Sequence, residues 1–355
     1  MQNKRIMIMA GGTGGHIFPG LALAASLQKS GDTVQWLGAH GLETKLVPEH
    51  GISLNSLSMK GVRGNGLLGY FKAPFMLFAA ILEARKILKQ FKPDYVVGFG
   101  GFAAAPGGFA AKSLGIPLII HEQNAVAGLT NKLLAHISQH IFSGFPCNLP
   151  RCVVVGNPVR AAFFALESPE IRYRKRGNQP LNILIMGGSQ GARKLNTLLP
   201  PAIDHVIKNT PLKLNIWHQT GAKLYDEAEK SWQKVELEPF KIAPFIDDVV
   251  AAYAWADLVI CRSGASTVSE LAAGGVASIL IPFPAAVDDH QTANARYLSD
   301  EKAAILLNES DMSAEALAHI IENLSRAQCL EMAQKAHLLA HTEAISAIEG
   351  VIARR

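Results

Sequence analysis

Residues 8–15, IMAGGTGG, return as LIMGGSQG at 184–191, an offset of 176 in a chain of 355 residues. Each copy joins an apolar run to a turn of paired glycines with a hydroxyl residue, and a helical pattern follows. A strand that turns through glycines into a helix is one step of a doubly wound α/β sheet. Two copies half a chain apart predict two Rossmann-like domains of near-equal size. Short apolar runs at 5–10, 33–37, 95–99, 117–121, 182–186, 213–218, 258–261 and 278–281 supply the strands. Most are apolar on both faces, as parallel strands covered by helices require. The expected domains are 1–162 and 163–341, with the polar, arginine-rich stretch 167–180 marking the passage between them. A last helix, 342–355, is expected to pack back onto the first domain.

The formal net charge of +5 conceals an uneven division. Residues 1–160 hold 15 Lys and Arg against 6 Asp and Glu, whereas residues 161–355 hold 19 against 23. The first half therefore suits an anionic partner. No run of about 18 apolar residues exists, so no transmembrane helix is expected. The apolar stretch 6–10 stops at Gly11, too short for a signal peptide. Cys147, Cys152, Cys261 and Cys329 have neither CxxC nor metal-ligand spacing. They read as unpaired buried thiols in a reducing compartment, on the cytoplasmic side.

Three glycine loops, 11–15, 98–101 with Gly107 and Gly108, and 187–191, leave room for backbone N–H groups to face an anion at a helix start. The alternative for each is a tight turn without a ligand. A dinucleotide fingerprint is absent: Ile17 stands where its last glycine should be, and no acid closes the strand around Trp36 and Leu37. No GxxxxGK[ST] and no Asp-x-Asp occur either. A bound diphosphate would have to be neutralised by helix ends and side chains, with no metal. In the second half, RSGASTVSE (262–270) follows an apolar run. Small and hydroxyl residues there suit phosphate or sugar, and Glu270, one turn in, could accept two hydrogen bonds from a ribose diol. Its alternative role is to favour the helix dipole. A loop at 282–291 offers imidazole and amide groups to sugar hydroxyls.

The set GGTGGHIFPG (11–20), HEQNAVAGLTNK (121–132), VGNPVR (155–160), GGSQGAR (187–193), FIDD (245–248), CRSGASTVSE (261–270) and DDHQTANA (288–295) resembles the MurG family. These bacterial peptidoglycan glycosyltransferases move N-acetylglucosamine (GlcNAc) from UDP-GlcNAc onto lipid I to make lipid II. The resemblance runs from near Met1 into the final helices without a missing block. It implies a GT-B fold, with two Rossmann-like domains facing across a cleft. It places Thr13, Gly14 and Gly15 beside the donor sugar and phosphates, and Asn124 on the GlcNAc. Arg160 and Ser189 would serve the nucleotide-sugar site, with Ile246 meeting uracil through its backbone. Ala265, Ser266, Thr267, Val268, Ser269 and Glu270 would cradle the diphosphate and ribose, with Gln291 on the GlcNAc hydroxyls. One departure is visible. The family's second glycine loop commonly reads GGY and then Gly-Pro, where this chain has Gly100, Gly101, Phe102 and then Ala105, Pro106.

An α-linked donor giving a β-linked product requires inversion in one in-line displacement. The acceptor hydroxyl then needs a base and the leaving UDP needs its charge stabilised. The backbone of the 187 and 263–267 loops, with Arg160, is expected to do the second. His16, just after the first glycine loop, is the expected base; its alternative is to position the loop or the acceptor pyrophosphate. His121 and Glu122 are the next candidates, or else form a structural strand end. Residues 60–92 carry seven Lys or Arg and one acid, Glu83, and residues 73–82 are apolar all round a helix. Lys72, Phe75, Leu77, Phe78, Ile81, Leu82, Arg85 and Lys89 form the expected membrane patch, unless this helix is deeply buried.

The expected partners are UDP-GlcNAc, lipid I, the anionic cytoplasmic face of the bacterial inner membrane, and other cell-wall synthesis and division proteins. No nucleic-acid motif accompanies the basic stretch. Two other readings remain open at this point: a UDP-sugar transferase for another membrane glycolipid, and a non-catalytic UDP-sugar-binding or recruiting subunit.

Overall fold

The apolar runs form the centres of two parallel sheets in a computed structural model that describes residues 3–58, 66–188, 190–237 and 240–354. By contacts the chain divides into Met1–Val159 with His341–Arg355, and Arg160–Ala340. The first unit runs β1 (Arg5–Met9), α1 (Gly14–Lys29), β2 (Thr33–Gly38), α2 (Glu43–Glu49), β3 (Ser53–Ser56), α3 (Gly66–Phe91), β4 (Tyr95–Gly98), α4 (Ala104–Ser113), β5 (Leu118–Glu122), α5 (Leu129–Leu134), β6 (His140–Ser143) and β7 (Val153–Val154). The second runs α6 (Ala161–Phe164), α7 (Pro169–Arg176), β8 (Leu181–Met186), α8 (Arg193–Asn209), β9 (Leu214–Gln219), α9 (Tyr225–Trp232), β10 (Phe240–Ala243) and α10 (Val249–Trp255). It continues through β11 (Leu258–Cys261), α11 (Ala265–Gly274), β12 (Ala277–Leu280), α12 (His290–Ser299), β13 (Ile305–Leu306), α13 (Ala314–Glu322) and α14 (Arg326–Leu338). The last helix, α15 (Ala344–Ala353), belongs to the first unit.

Strand order is β3-β2-β1-β4-β5-β6-β7 in the first sheet and β10-β9-β8-β11-β12-β13 in the second. Every described pairing is parallel. The side-chain period of two explains why β1 reads as an unbroken apolar run. Ile6 and Ile8 enter a core shared with Leu23, Leu27, Ile348 and Ile352. Met7 and Met9 enter the opposite core with Ala84, Leu88 and Leu134. Each fully buried side chain of this kind contributes about 1.5–3 kcal/mol relative to exposure. Tyr95 Oη donates to the Val351 carbonyl at 3.2 Å, a polar tie between β4 and the returning C-terminal helix.

Two expectations change. The arginine-rich stretch 167–180 is no linker, because it carries α7 inside the second unit. Arg172 is 5% exposed and donates to the Glu167 and Gly275 carbonyls. Arg176 pairs at 2.5 Å with Asp257, which is fully buried and also takes Arg326 at 3.1 Å. The thiols differ as well. Cys261 and Cys329 are buried, but Cys147 and Cys152 are only half-buried, with their sulfurs 3.8 Å apart.

Candidate functional site

Open α/β sheets take ligands outside the carboxyl ends of the strands, where the strand order reverses. In the first unit that reversal lies between β1 and β4, and both strands run straight into glycine loops. Gly101 has φ +81°, and a Cβ there would come within 2.2 Å of the Gly11 carbonyl oxygen, so only glycine lets the two loops meet. In the second unit the reversal lies between β8 and β11, which lead into the 187–191 and 262–266 loops. Gly191, at φ +76°, would likewise drive a Cβ to 2.1 Å from the Thr220 carbonyl oxygen. Each unit thus carries its own glycine-loop cluster at its switch point.

In the first unit Thr13 is extended at the start of α1, Gly14 and Gly15 form its first turn, and that turn holds no acid. The helix therefore presents free positive dipole. Glu43, which sequence reasoning passed over, pins this loop. Its carboxylate is fully buried and accepts the Gly12 N–H at 3.1 Å and the Ala39 N–H at 2.9 Å. A signal existed, since only six acids occur in the first 160 residues. His16 is half-buried on the first turn of α1, and its Nδ1 lies 2.8 Å from Gln123 Oε1.

His121 and Glu122, the other candidates for the base, lie enclosed at the end of β5. His121 is fully buried, donates through Nε2 to the Gly156 carbonyl at 2.8 Å, and meets Gln123 Nε2 with its other nitrogen at 3.2 Å. Burial lowers its pKa to about 4, against opposing effects of that hydrogen bond and of Glu122. Glu122, 1% exposed, accepts from the N–H of Asn124 at 3.0 Å, from that of Gly128 at 3.0 Å, and from Asn131 Nδ2 at 2.9 Å. Both side chains are held at the carboxyl end of β5. Asn124 is held next to them, with its amide 3.3 Å from Glu122.

In the second unit the structure brings Arg160 and Glu270 together. Arg160 caps α6, lies 4.9 Å over the Phe163 ring, and places a guanidinium nitrogen 3.8 Å from Glu270 Oε1. Glu270 lies in the second turn of α11, with a side chain 21% exposed. Burial raises its pKa to about 7, with Arg160 acting in the opposite direction. Ala265 and Val268 face the core, whereas Ser266, Thr267 and Ser269 are partly exposed. Ser266 Oγ is buried and has no hydrogen-bond partner among the described residues, at a helix start without an acid. A buried hydroxyl left unsatisfied there fits an anionic ligand.

Gln291 ties two loops together. Its Oε1 accepts the Phe283 N–H at 2.9 Å and its main-chain carbonyl accepts Ser263 Oγ at 2.9 Å. Asp288 and Asp289 in that loop both adopt left-handed backbone, φ 53° and 49°, an uncommon conformation that clusters at ligand sites. Ile246 is 5% exposed between β10 and α10. Ser189 lies outside the described residues.

On α3, Ala80, Ala84, Leu88 and Phe91 make a buried stripe. Phe75 (79%), Phe78 (63%) and Leu82 (51%) stand exposed, so deep burial of this helix is excluded. Two members of the expected patch turn elsewhere: Ile81 packs against the core, and Arg85 donates to Ser113 Oγ at 2.5 Å. Leu77 is half-buried and Lys89 exposed, and the side chain of Lys72 lies outside the described residues. No helix among the described residues is long and apolar enough to cross a membrane.

The glycosyltransferase family 28 N-terminal domain matches residues 6–143 and the family's C-terminal domain matches residues 182–348. A relative in Xylella fastidiosa strain Temecula1 is 46% identical over 355 residues, covering 98% of this chain and 96% of its own. One in Haemophilus influenzae strain 86-028NP is 45% identical over 353 residues, covering 99% of each. Both are described as UDP-N-acetylglucosamine–N-acetylmuramyl-(pentapeptide) pyrophosphoryl-undecaprenol N-acetylglucosamine transferases. Among solved structures, MurG of Acinetobacter baumannii superposes with a TM-score of 0.86 at 40% identity, covering 99% of this chain and 100% of its own. UDP-GlcNAc 2-epimerase of Neisseria meningitidis, at 13% identity and a TM-score of 0.67, shares the fold alone.

Proposed function

The chain belongs to glycosyltransferase family 28, and on that premise we propose its reaction. It is a GT-B hexosyltransferase that transfers GlcNAc from UDP-GlcNAc to the muramyl 4-hydroxyl of lipid I, giving lipid II for peptidoglycan. One observation carries this reading: identity of 45–46% extends over 96–99% of relatives bearing that activity's name, so both the donor and the acceptor halves are matched. A recruiting subunit would need only one half, and a transferase for another glycolipid would be expected to diverge in the first unit.

The donor binds on the second unit. The ribose diol donates to the Glu270 carboxylate, and the diphosphate takes the start of α11, with Ser266 Oγ and Arg160 as further donors. Support comes from the unpartnered Ser266 hydroxyl and the Arg160–Glu270 proximity. No metal is required in this scheme, because amide dipoles and Arg160 meet the charge that develops on UDP. Ile246 and Gln291 complete the uracil and sugar contacts, together with Ser189 and, from the first unit, Thr13, Gly14, Gly15 and Asn124. The acceptor oxygen attacks the anomeric carbon on the face opposite UDP, the bond to the diphosphate oxygen breaks with its electron pair leaving on UDP, and His16 takes the hydroxyl proton. UDP release should therefore depend on a lipid I analogue. Release with a different membrane glycolipid but not with lipid I would contradict the assignment.

The first unit works at the anionic cytoplasmic face of the inner membrane as a peripheral protein. The exposed Phe75, Phe78 and Leu82 stripe with Lys86 and Lys89 beside it supports this. Joint replacement of Phe75 and Phe78 by Ser is expected to abolish co-sedimentation with vesicles containing anionic lipid. Unchanged sedimentation would remove the helix from the membrane contact. Association with other cell-wall synthesis and division proteins would follow from that location.

A further inference from the structure

A carbonyl fixed at Gly156 determines, through two side chains, which nitrogen of His16 carries a proton. Gly156 has φ +82°, and a Cβ there would come within 2.2 Å of His341 Cβ, so the returning C-terminal segment holds this turn in place. A carbonyl oxygen can only accept, so the 2.8 Å contact from His121 Nε2 puts the His121 proton on that nitrogen. Burial keeps His121 neutral at pH 7, with its pKa held at about 4. Its Nδ1 is then a bare lone pair. Gln123 faces that lone pair at 3.2 Å and the His121 carbonyl at 2.8 Å with the same terminal atom. Two acceptors on one atom require it to be the amide NH2, which orients the side chain without ambiguity. The opposite end, Gln123 Oε1, is therefore the atom 2.8 Å from His16 Nδ1, and that nitrogen must donate. In the neutral ring His16 then keeps its lone pair on Nε2, which has no protein hydrogen-bond partner among the described residues.

We propose that Gln123 is a positioning residue for transfer: it locks neutral His16 in the Nδ1–H tautomer and so presents Nε2 as the proton acceptor. This rests on the reading of His16 as the base. In the step itself the muramyl 4-hydroxyl proton moves to His16 Nε2 as its oxygen bonds the anomeric carbon and the carbon–diphosphate bond breaks, its electron pair leaving on UDP. The resulting imidazolium keeps its Nδ1–H on Gln123 Oε1, which shares the new charge. Gln123 is 1% exposed, which places its action on the acceptor through His16 rather than by direct contact.

The test begins in the free protein with no substrate. Long-range 1H–15N correlation spectra of the neutral His16 ring should report Nδ1–H, and an Nε2–H pattern in the unmodified protein would overturn the proposal. Gln123→Met, which keeps volume and removes the acceptor, should shift His16 to a mixture with Nε2–H. It should lower kcat by about 10- to 100-fold with little change in KM for UDP-GlcNAc. In a His16→Ala background the same substitution should cost no further kcat, whereas a merely structural role would lower both backgrounds equally. An unchanged kcat in His16→Ala alone would refute the base assignment. The tautomer result stands apart from it, so the two failures are distinguishable.

Discussion

His16→Ala should lower kcat by about 100- to 10,000-fold, the range that general-base catalysis supplies, and leave KM for UDP-GlcNAc nearly unchanged. The reasoning is positional. His16 is half-buried on the first turn of α1, directly after the loop that meets the β4 glycines at the sheet's switch point. His121 and Glu122 are enclosed, with polar atoms engaged by Gly156, Gln123, Gly128 and Asn131. An interaction made only as the proton moves affects kcat and kcat/KM equally. A kcat within a few-fold of the unmodified enzyme, or a loss confined to acceptor KM, would place His16 at the acceptor pyrophosphate instead.

Glu270→Ala should weaken UDP binding by roughly 10- to 100-fold, the loss expected when hydrogen bonds to a charged group are removed. Isothermal titration with UDP reads this directly, and unchanged affinity would remove Glu270 from the ribose. Its pKa makes a second, opposite prediction for the free protein. Burial raises the folded-state value to about 7 from an ordinary 4.5. Below about pH 4.5 both states hold the proton and the full contribution is present. Between about pH 4.5 and 7 the unfolded chain is ionised while the folded carboxyl keeps its proton, so stability falls across that window, and above 7 the loss is complete. The loss is of order 3 kcal/mol for a shift of this size. Glu270→Gln should abolish that part of the pH dependence and be more stable than the unmodified protein at pH 8 in urea unfolding. Equal pH dependence in both would show that the carboxyl is not desolvated. The carboxylate is thus unfavourable until two ribose hydroxyls and Arg160 satisfy it, a cost in stability retained for binding.

The doubled glycine motif made the central βα steps of each unit legible because glycine-to-helix turns leave no alternative conformation. The two-sided apolar runs made the central strands legible for the same kind of reason. The outer strands were not. β3 reads SLNS, β7 has two residues and β13 has two. Edge strands are short and one side of their ladder is unpaired, so neither length nor pattern marks them. The polar, arginine-rich stretch 167–180 read as the passage between domains, but it lies inside the second unit. The acceptors of Arg172 and Arg176, Asp257 and the carbonyls of Ala254, Ala256 and Gly275, lie 78 to 103 positions away. In the site, residue types announced the phosphate loops and Glu270. The residues that hold those loops, Glu43 and Gln123, depend on partners 31 and 107 positions distant. Local spacing carries no trace of such contacts.

The central claim is a single inverting transfer of GlcNAc to lipid I, and the product itself tests it most directly. Purified protein given UDP-GlcNAc labelled with 13C at the anomeric carbon and a lipid I analogue should yield a lipid-linked disaccharide. Its anomeric coupling should be that of a β-linkage to the muramyl 4-oxygen, with one UDP released per disaccharide formed. An α-linked disaccharide, free GlcNAc with the acceptor unchanged, or sugar on a different lipid acceptor alone would contradict the account.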